Sequence, residues 1–381
     1  MNSPVVVLGA TGSIGTQTLE VADNLGLPVA ALVSRRPSPA FAALARRYPD
    51  AEVVVAGGSK DERDGLAADI GRMLRHGSDA ILETAGTAGR IVVNGIVGAA
   101  GLQATIAGLE AGNRVALANK ESLVSGGPVV TAARDGHGGE LIPVDSEHSA
   151  LYQCLIGEPA EAVARLILTA SGGPFRGRSR ESLAEVTPQQ ALQHPTWSMG
   201  RRITIDSATM FNKGLEIIET HHLFAVEYER IDVVLHPQSI LHSAVEFVDG
   251  SWKGHLGYPD MRIPIQYALT APDRMPGPGE PFNPVGIDLT FEAPDRHAFP
   301  ALDIAFAAGE AGGSAPAVLN AADEMAVEAF LQGRLGFLGI SDVVERTIAE
   351  VEWRELKTVE DVMEVDAEAR SVAAGLIAGV C

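Results

Sequence analysis

The chain has 381 residues, 46% of them hydrophobic, so it is long enough for two or three packed domains. Its formal net charge of -20 argues against non-specific binding to nucleic acid or to an anionic membrane. The only cysteines, Cys154 and Cys381, argue against a disulfide framework and suit a reducing compartment. Because neither a signal peptide nor a run of membrane-spanning length is recognisable, we expect a cytoplasmic protein.

The first predicted strand leads directly into a glycine-rich turn and then into a helical pattern. Val5–Leu8 is a short, wholly apolar run, typical of a parallel strand buried on both faces. In the turn, Gly9 permits the tight bend, Gly12 lets the backbone approach a pyrophosphate, and Gly15 lets helix and strand pack closely. The N–H groups at the start of the helix then face the phosphates, so the stretch predicts a dinucleotide site.

The end of the second predicted strand indicates which dinucleotide is bound. Val29–Val33 is followed by Arg35 and Arg36, where NAD-binding domains carry an acidic residue for the ribose 2′-hydroxyl. Arginines suit a 2′-phosphate instead, so NADP is favoured. The alternative is a pair of solvated arginines before the turn at Pro37.

Alternating strands and helices continue this pattern to about residue 142. The further predicted strands are Glu52–Val55, Ala80–Leu82, Ile91–Val97 and Val115–Leu117. The predicted helices between them are Phe41–Tyr48, Asp61–Leu74 and Leu102–Ala111. The order predicts an α/β fold in which residues 1–142 form a Rossmann-type, doubly wound nucleotide-binding domain.

Two polar motifs follow predicted strands, where α/β sheets bind their ligands. One is the run 119–122, and the other contains Asp145 and Glu147 after the strand 140–142. Two carboxylates separated by one residue, with a third available from Glu216, predict a site for Mg²⁺ or Mn²⁺. The alternative is that Asp145 and Glu147 cap a helix and place a charge in its first turn.

A second polar cluster predicts a site for a phosphorylated substrate. The run 166–175 reads as a strand ending in a glycine turn, where Ser171 and neighbouring amides could hold an anion. The following stretch supplies further donors to phosphate oxygens, and these are His194, Ser207, Asn212 and Lys213.

The same stretch contains a predicted loop and a predicted helix. Trp197 and Met199 lie in a segment without helical or strand period, which suits a lid that closes over a ligand. A helix starting near Phe211 would place Lys213 and Glu216 on one face. The alternative is an ordinary loop leading into an amphipathic helix with Ser207 or Thr209 as its N-cap.

The remaining chain predicts strands and then helices. Residues 233–248 alternate like strands flanking a turn, and His236 and His242 there are expected to be structural hydrogen-bonding groups. We expect a central α+β catalytic domain over 143–270, a Pro- and Gly-rich linker over 271–296, and a small C-terminal helical domain over 297–381. The helical periods in that last region cover 301–331, 341–352 and 360–378.

Together these motifs resemble one family, 1-deoxy-D-xylulose 5-phosphate reductoisomerase, over nearly the whole chain. The runs that carry the resemblance are 9–15, 96–101, 118–123, 143–148, 171–175, 194–216, 236–239, 259–262 and 319–324. The Asp-Ser-Glu-His run at 145–148 and the Asn-Lys-Gly-Leu-Glu run at 212–216 are the most specific together. The resemblance implies a homodimer that uses NADPH and Mg²⁺ or Mn²⁺ and binds neither nucleic acid nor membranes.

The resemblance also implies a role for each matching residue. The metal ligands would be Asp145, Glu147 and Glu216. Catalysis would depend on these three carboxylates with Lys120 and His194. The substrate would be bound by Lys120, Ser146, Glu147, Ser171, His194, Ser207, Asn212 and Lys213. NADPH would contact Thr11, Gly12, Ser13, Ile14, Asn119, Glu121 and Gly200, with Arg35 and Arg36 at its 2′-phosphate, and the lid would carry Trp197 and Met199.

Two places depart from the family pattern. The chain has Arg35-Arg36-Pro37 where Gly-Lys-Asn is frequent, which changes how the 2′-phosphate would be held. The lid reads Pro195-Thr196-Trp197, with Arg202 after it, where Asn and Lys are frequent.

The implied reaction rearranges the carbon skeleton of deoxyxylulose phosphate to a branched aldehyde, which NADPH then reduces. One rival interpretation is a semialdehyde dehydrogenase, which needs a reactive thiolate, whereas Cys154 lies in an apolar helical pattern. Another is a non-catalytic NADPH sensor, which leaves the three carboxylates and the lysine-bearing phosphate site without a purpose.

Overall fold

The computed structural model describes residues 3–197 and 199–380, with all their side chains except those of Ala99 and Val380. Cys381, and Ser198 of the predicted lid, lie outside the described residues. No helix among the described residues is long and apolar enough to cross a membrane.

The described part of the chain alternates between strands and helices up to about residue 155 and is mainly helical after residue 300. In chain order its strands are β1 (Val5–Leu8), β2 (Val29–Ser34), β3 (Glu52–Val55), β4 (Arg75–His76), β5 (Ile91–Asn94), β6 (Arg114–Leu117), β7 (Glu140–Pro143), β8 (Val163–Ala170), β9 (Ile231–Leu235), β10 (Leu241–Phe247) and β11 (Trp252–Leu256).

The α-helices of the same residues fall into three groups along the chain. Those up to residue 155 are α1 (Ser13–Leu25), α2 (Pro39–Arg47), α3 (Lys60–Ile70), α4 (Ser78–Ala85), α5 (Leu102–Glu110), α6 (Lys120–His137) and α7 (Ser146–Leu155). Those of the middle are α8 (Arg180–Leu183), α9 (Pro188–Ala191), α10 (Arg201–Thr209), α11 (Phe211–Phe224) and α12 (Arg262–Thr270). The last are α13 (Ala301–Ala311), α14 (Ala315–Leu331), α15 (Gly339–Glu350) and α16 (Val359–Val380).

The chain divides into two compact units that do not follow simple sequence boundaries. The first consists of Met1–Asn119, Val130–Ser149 and Asp260–Pro281. The second consists of Lys120–Val129, Ala150–Pro259 and Phe282–Cys381. The domain boundaries expected from the sequence, at residues 142, 270 and 296, remain a prediction.

The first unit is built on a seven-stranded parallel sheet with the order β4-β3-β2-β1-β5-β6-β7. The order runs outward in both directions from β1, so the sheet is doubly wound, as the sequence predicted. Strand β1 is wholly apolar and all four of its residues are 0% exposed, as expected for a parallel strand covered on both faces. Helix α12 packs against α1, β6 and β7, which explains why a segment so late in the chain belongs to this unit.

One strand prediction in this unit was wrong. Residues 80–82 belong to the helix α4, which begins at Ser78 directly after Gly77. A three-residue apolar run is too short to show whether its period is that of a strand or of a helix. The predicted strand 91–97 is confirmed only as far as Asn94, and the two-residue strand β4 was not predicted.

The second unit contains a four-stranded sheet with the order β11-β10-β8-β9, and helices pack against it. Strand β8 pairs in parallel with β9 and antiparallel with β10, so the sheet is mixed. Its core joins β8 and β9 to α11, α13, α14 and α15, and includes Phe211, Leu319 and Phe330. The strands predicted within 233–248 and the helices predicted over 341–352 and 360–378 are confirmed. The helical stretch predicted over 301–331 is two helices, α13 and α14, with a break at Gly312, whose φ is +60°.

Candidate functional site

The glycine turn of the first unit has the geometry of a phosphate-binding loop. Gly9 has φ +86°, and a Cβ atom there would lie 2.7 Å from the carbonyl oxygen of Gly95. A Cβ atom on Gly15 would lie 2.3 Å from the carbonyl oxygen of Gly9, so only glycine lets α1 pack this close. Gly12 is the N-cap of α1 and supplies no side-chain hydrogen bond to the helix. The helix therefore starts with backbone N–H groups that can bind an anion.

The residues predicted to contact NADPH surround this turn within the first unit. Thr11, Gly12 and Ser13 are exposed at the end of β1, and the Thr11 hydroxyl lies 3.4 Å from that of Ser34 at the end of β2. The Asn119 side chain donates to the carbonyl oxygen of Gly98 at 3.0 Å, so its buried amide fixes the loop after β5.

Arg35 and Arg36 follow β2 and are both exposed. The pKa of Glu62 is lowered mainly by hydrogen bonds of its carboxylate to the backbone and the hydroxyl of Ser59. The positive charge of Arg36 lowers it further by a smaller amount. Both arginines are accessible to a 2′-phosphate at the end of β2.

The motif with two carboxylates lies at the end of the sheet edge strand β7. Asp145 directly precedes α7, and its carbonyl oxygen accepts the N–H of Ser149. Ser146 donates its hydroxyl hydrogen to Oε2 of Glu147, and the side chains of Asp145, Ser146 and Glu147 are partly buried. The first unit thus presents two carboxylates and a hydroxyl at the carboxyl end of a parallel strand, as the sequence predicted.

In the second unit, the turn after β8 brings together predicted phosphate-binding residues. The Ser171 hydroxyl lies 3.0 Å from Nε2 of His194 and accepts the N–H of Gly173 at 3.2 Å. A Cβ atom on Gly173, whose φ is +64°, would lie 2.7 Å from the carbonyl oxygen of Ser207. The glycine therefore lets the turn approach α10, and Ser171, His194 and Ser207 come from three separate segments.

The hydrogen bonds of His194 define its protonation state. Its Nδ1 accepts the backbone N–H of Trp197 at 2.9 Å and that of Thr196 at 3.2 Å. Burial also lowers the pKa of His194, so the neutral ring is favoured. Since Nδ1 is an acceptor, the proton of the neutral ring is on Nε2, which can donate to Ser171 or to an anion beside it.

A buried cluster of charged groups lies at the starts of α6 and α11. Glu216 is 1% exposed, and its Oε1 accepts from Nζ of Lys120 at 3.2 Å and from the Asn212 amide at 2.5 Å. Its Oε2 accepts from Nζ of Lys213, which confirms that Lys213 and Glu216 share one face of α11. Lys120 also donates to the Asn212 side-chain oxygen at 2.8 Å. Two lysines, one amide and one carboxylate thus exchange hydrogen bonds, and all of these side chains except the partly buried Asn212 are buried.

A sharp backbone turn explains how the sequence forms this cluster. Met210 joins α10 to α11 in the left-handed conformation, with φ 72°. Neither Ser207 nor Thr209 is the N-cap, since both lie within α10 and the N-cap of α11 is Met210. The side-chain oxygen of Thr209 still accepts the N–H of Phe211 at 3.3 Å.

The predicted lid is a loop in the residues that are described. Residues 193–197, 199 and 200 carry no helix or strand, and the side chains of Trp197 and Met199 are partly buried. A cavity of about 460 Å³ opens beside this loop and is lined by Ser171, Gly173, Arg176, Arg178 and Pro195 among others. Pro195 belongs to the lid and Ser171 to the predicted phosphate site, so this cavity borders both.

The remaining candidate residues are structural. His236 receives the N–H of Ile240 on Nε2 at 3.1 Å, and its Nδ1 lies 3.0 Å from the Thr290 carbonyl oxygen, as predicted. Cys154 is 4% exposed, which is inconsistent with the accessible thiolate that a semialdehyde dehydrogenase requires.

Comparison with known proteins assigns the chain to a family. Models of 1-deoxy-D-xylulose 5-phosphate reductoisomerase match residues 5–127 and, for the C-terminal domain of that family, residues 141–224. A further model, the DXP reductoisomerase C-terminal domain, matches residues 256–372. The chain belongs to the 1-deoxy-D-xylulose 5-phosphate reductoisomerase family.

Individual reductoisomerases are similar over almost their whole length. The protein of this name from Caulobacter vibrioides is 48% identical, with 98% of this chain and 96% of the relative covered. That from Geobacillus sp. (strain WCH70) is 47% identical, with 98% and 99% covered.

Solved structures of the family have the same fold. The reductoisomerase from Zymomonas mobilis in complex with NADPH has a TM-score of 0.92 and is 43% identical, with 99% of both chains covered. A DOX-P reductoisomerase in complex with NADPH, fosmidomycin and magnesium has a TM-score of 0.91 and is 36% identical, with 98% of both chains covered.

One part of the second unit of this reductoisomerase was not predicted. Arg202 lies at the centre of a group of acidic side chains from α6, α10 and α14, which includes the buried Asp206 and the partly buried Glu121 and Glu324. The sequence signal is Arg202 itself, which stands out there only as a departure from the family pattern after the lid.

Proposed function

We propose that the protein converts 1-deoxy-D-xylulose 5-phosphate to 2-C-methyl-D-erythritol 4-phosphate, using NADPH and Mg²⁺ or Mn²⁺. The observation that carries this proposal is the buried group formed by Glu216 with Lys120 and Lys213. A carboxylate for a divalent ion and ammonium groups for an anionic substrate lie side by side there, as a metal-assisted reaction on a sugar phosphate requires.

NADPH binding is supported by the glycine turn between β1 and α1. A Cβ atom at Gly9 or Gly15 would collide with backbone atoms, so these glycines allow the tight turn and the close packing of α1 that a pyrophosphate-binding loop requires. We assign the pyrophosphate to the stretch from Thr11 to Ile14, and the 2′-phosphate to Arg35 and Arg36. Further contacts would come from Asn119, Glu121 and Gly200.

A divalent ion would be held by three carboxylates, Asp145, Glu147 and Glu216. Carboxylate oxygens are the donors that Mg²⁺ and Mn²⁺ prefer, and the partly buried Asp145 and Glu147 leave room for the waters such ions retain. The third ligand would be the buried Glu216, whose two carboxylate oxygens accept from the ammonium groups of Lys120 and Lys213 in this structure. The ion would supply Lewis-acid chemistry at the substrate carbonyl group.

The substrate phosphate would be bound by residues of the second unit, namely Ser171, His194, Ser207, Asn212 and Lys213. The neutral His194 donates from Nε2, and Lys213 adds a full charge. Lys120 and Ser146 would contact the carbon backbone of the substrate. Because the phosphate is remote from the reacting carbons, its binding would orient them rather than act on them.

The reaction requires a carbon–carbon bond to break and another to form before reduction. The bond between C3 and C4 of the substrate is replaced by one between C2 and C4, which leaves C3 as an aldehyde. Hydride from NADPH then reduces that aldehyde to a primary alcohol. Trp197 and Met199 of the lid would exclude water while the aldehyde exists.

A homodimer is a further part of this proposal. Strand β11 is at the edge of the sheet in the second unit, and Trp252 and Leu256 on its outer face are 50% and 42% exposed. An edge strand with exposed large apolar residues suits pairing with a second copy. We also infer a cytoplasmic location, because the reaction needs NADPH and the chain has only two cysteines.

Turnover tests the proposed function. Purified protein is mixed with NADPH, MnCl₂ and deoxyxylulose phosphate, and the loss of nicotinamide absorbance is followed with and without a chelator. We expect oxidation that needs both the ion and the substrate phosphate. Lys213→Met should lower kcat/KM by about 10- to 100-fold, because one charge-assisted contact is lost. The matched Lys357→Met, at an exposed lysine paired with Glu355, should not change it.

A further inference from the structure

The guanidinium of Arg202 connects three helices of the second unit. Its Nη1 donates to Oε1 of Glu121 on α6 and to Oε1 of Glu324 on α14, both at 2.8 Å. Its Nη2 donates to the side-chain oxygen of Asn320 on α14 at 3.1 Å. Arg202 itself is in the first turn of α10. One side chain therefore sets the spacing of α6, α10 and α14 by directed hydrogen bonds.

Two further carboxylates approach the same guanidinium. Asp206 on α10 has an oxygen 3.6 Å from Nε of Arg202, and Asp323 on α14 has one 3.5 Å from Nη2. Both aspartates are buried, being 3% and 0% exposed. On the far side, Arg370 of α16 binds Glu324 and Asp366, so Glu324 is shared by two arginines.

The excess of acidic groups makes Arg202 hard to replace. Burial raises the pKa of Asp206 well above its usual value, with a further contribution from Asp323. Burial likewise raises the pKa of Asp323, to about 6, although Arg202 opposes this. The other charged groups that face the pair are Glu121, Glu324 and Lys120. Without the guanidinium, several buried carboxylates would face one another unneutralised.

The elements that Arg202 joins carry residues of the proposed substrate site. Glu121 is next to Lys120 in the first turn of α6, and Lys120 donates to Asn212 and Glu216. Ser207 is on α10, five residues after Arg202. The lid ends at Gly200, directly before the same helix. A change in the Arg202 contacts would therefore shift a lysine and a serine of the site together.

We propose that Arg202 is a positioning residue, which places Lys120 and Ser207 for the substrate by clamping the starts of α6 and α10 to α14. This rests on the proposed function, since the roles of Lys120 and Ser207 belong to it. The guanidinium presents Nη1 to Glu121 and Glu324 and Nη2 to Asn320 in one rigid plane, whereas an ammonium group offers its donors from a single atom. The clamp consequently requires arginine and not merely a positive charge.

The test compares Arg202→Lys with Arg370→Lys in the full-length protein. Both variants keep the charge and disturb an arginine bound to Glu324. The side-chain hydrogen bonds of Arg370, however, go to Glu324 on α14 and to Asp366 on its own helix, α16. For each we measure the melting temperature, kcat and KM for deoxyxylulose phosphate, and the affinity for inorganic phosphate by calorimetry. Asn320→Ala, which removes only one acceptor, is a milder third variant.

We expect Arg202→Lys to raise the substrate KM and to weaken phosphate binding about 10-fold, with a smaller change in the same direction for Asn320→Ala. Arg370→Lys should lower the melting temperature and leave KM and phosphate affinity unchanged. The proposal would be overturned if the two lysine variants had equal effects on KM. It would also be overturned if Arg202→Lys lowered the melting temperature without changing KM or the phosphate affinity. If Arg202→Lys does not fold, an unchanged KM and phosphate affinity in Asn320→Ala overturns it.

The two proposals fail in different ways. Phosphate affinity is measured without turnover, so it reports on the clamp even if deoxyxylulose phosphate is not the substrate. Absence of turnover by the unaltered protein would contradict the proposed function alone.

Discussion

The Nζ atom of Lys120 lies 3.2 Å from Oε1 of Glu216, and both side chains are buried. The ammonium group of Lys213 occupies the other oxygen of the same carboxylate. Glu216 is thus neutralised by the two lysines that the proposed function assigns to the substrate. A divalent ion bound to this carboxylate would release them towards an anionic substrate, so the binding of ion and phosphate should promote each other.

Glu216→Gln tests this linkage. The variant should bind Mn²⁺ at least about 10-fold more weakly, because a carboxylate ligand is lost. It should bind inorganic phosphate in the absence of the ion at least as tightly as the unaltered protein, because Lys213 no longer has a competing anion. Calorimetric titrations measure both, and Glu229→Gln, at an exposed position, is the control. Parallel losses of Mn²⁺ and phosphate affinity would contradict the linkage.

Replacing both Arg35 and Arg36 by Ala should reduce the preference for NADPH over NADH by roughly 30- to 1,000-fold, mostly through the KM for NADPH. Both side chains are exposed, so raised salt should also reduce the preference of the unaltered protein for NADPH over NADH. The measurement is kcat/KM with each cofactor, and Arg46→Ala, at a surface arginine paired with Asp69, is the control. A double variant with full preference would show that the 2′-phosphate is bound elsewhere.

Gly15→Ala should abolish NADPH binding or prevent the first unit from folding, because its Cβ would lie 2.3 Å from the backbone oxygen of Gly9. The matched control is Gly65→Ala in α3, where a Cβ meets nothing within 4 Å. That replacement should raise stability by about 0.5–1 kcal/mol through helix propensity. Thermal unfolding and fluorescence titration with NADPH distinguish the two. Near-normal binding by Gly15→Ala would refute the close helix–strand packing.

His222 should make stability depend on pH. Burial lowers its pKa to about 4, with a smaller contribution from His221, and its ring packs against Gly127. The unfolded chain binds a proton below about pH 6.5, whereas the folded protein does not until about pH 4. Stability is therefore complete above pH 6.5 and is lost as the pH falls through this window, by about 2 kcal/mol after allowance for partial exposure.

Denaturant unfolding at pH 7 and pH 5 measures this loss. His222→Gln should reduce the difference between the two pH values, whereas His76→Gln, at an exposed position, should leave it unchanged. An identical pH dependence in His222→Gln and the unaltered protein would show that His222 is not responsible.

The sequence predicted those features that depend on short separations along the chain. The strand β1, the glycine turn after it and the Lys213–Glu216 pair on α11 follow from local residue order and helical spacing. Residues 80–82 were misassigned for the converse reason, because three apolar residues define no period.

The contacts of Arg202 could not be predicted from local order. Its partners Glu121, Asn320 and Glu324 are 81, 118 and 122 residues away. Three helices must pack before these charges meet, and no local pattern specifies which acidic residue an arginine will bind. The family resemblance implied Glu121 only as a contact to NADPH.

The fate of individual atoms tests the central claim, rearrangement followed by reduction, most directly. Deoxyxylulose phosphate labelled with ¹³C at C3 is incubated with the protein, Mn²⁺ and NADPH that carries deuterium at the transferred position, and the product is examined by NMR. We predict that the label becomes a primary alcohol carbon bearing one deuterium, attached to a carbon that also carries a methyl group. A label that remains in a secondary alcohol, with deuterium on C2, would show simple ketone reduction and contradict the assignment.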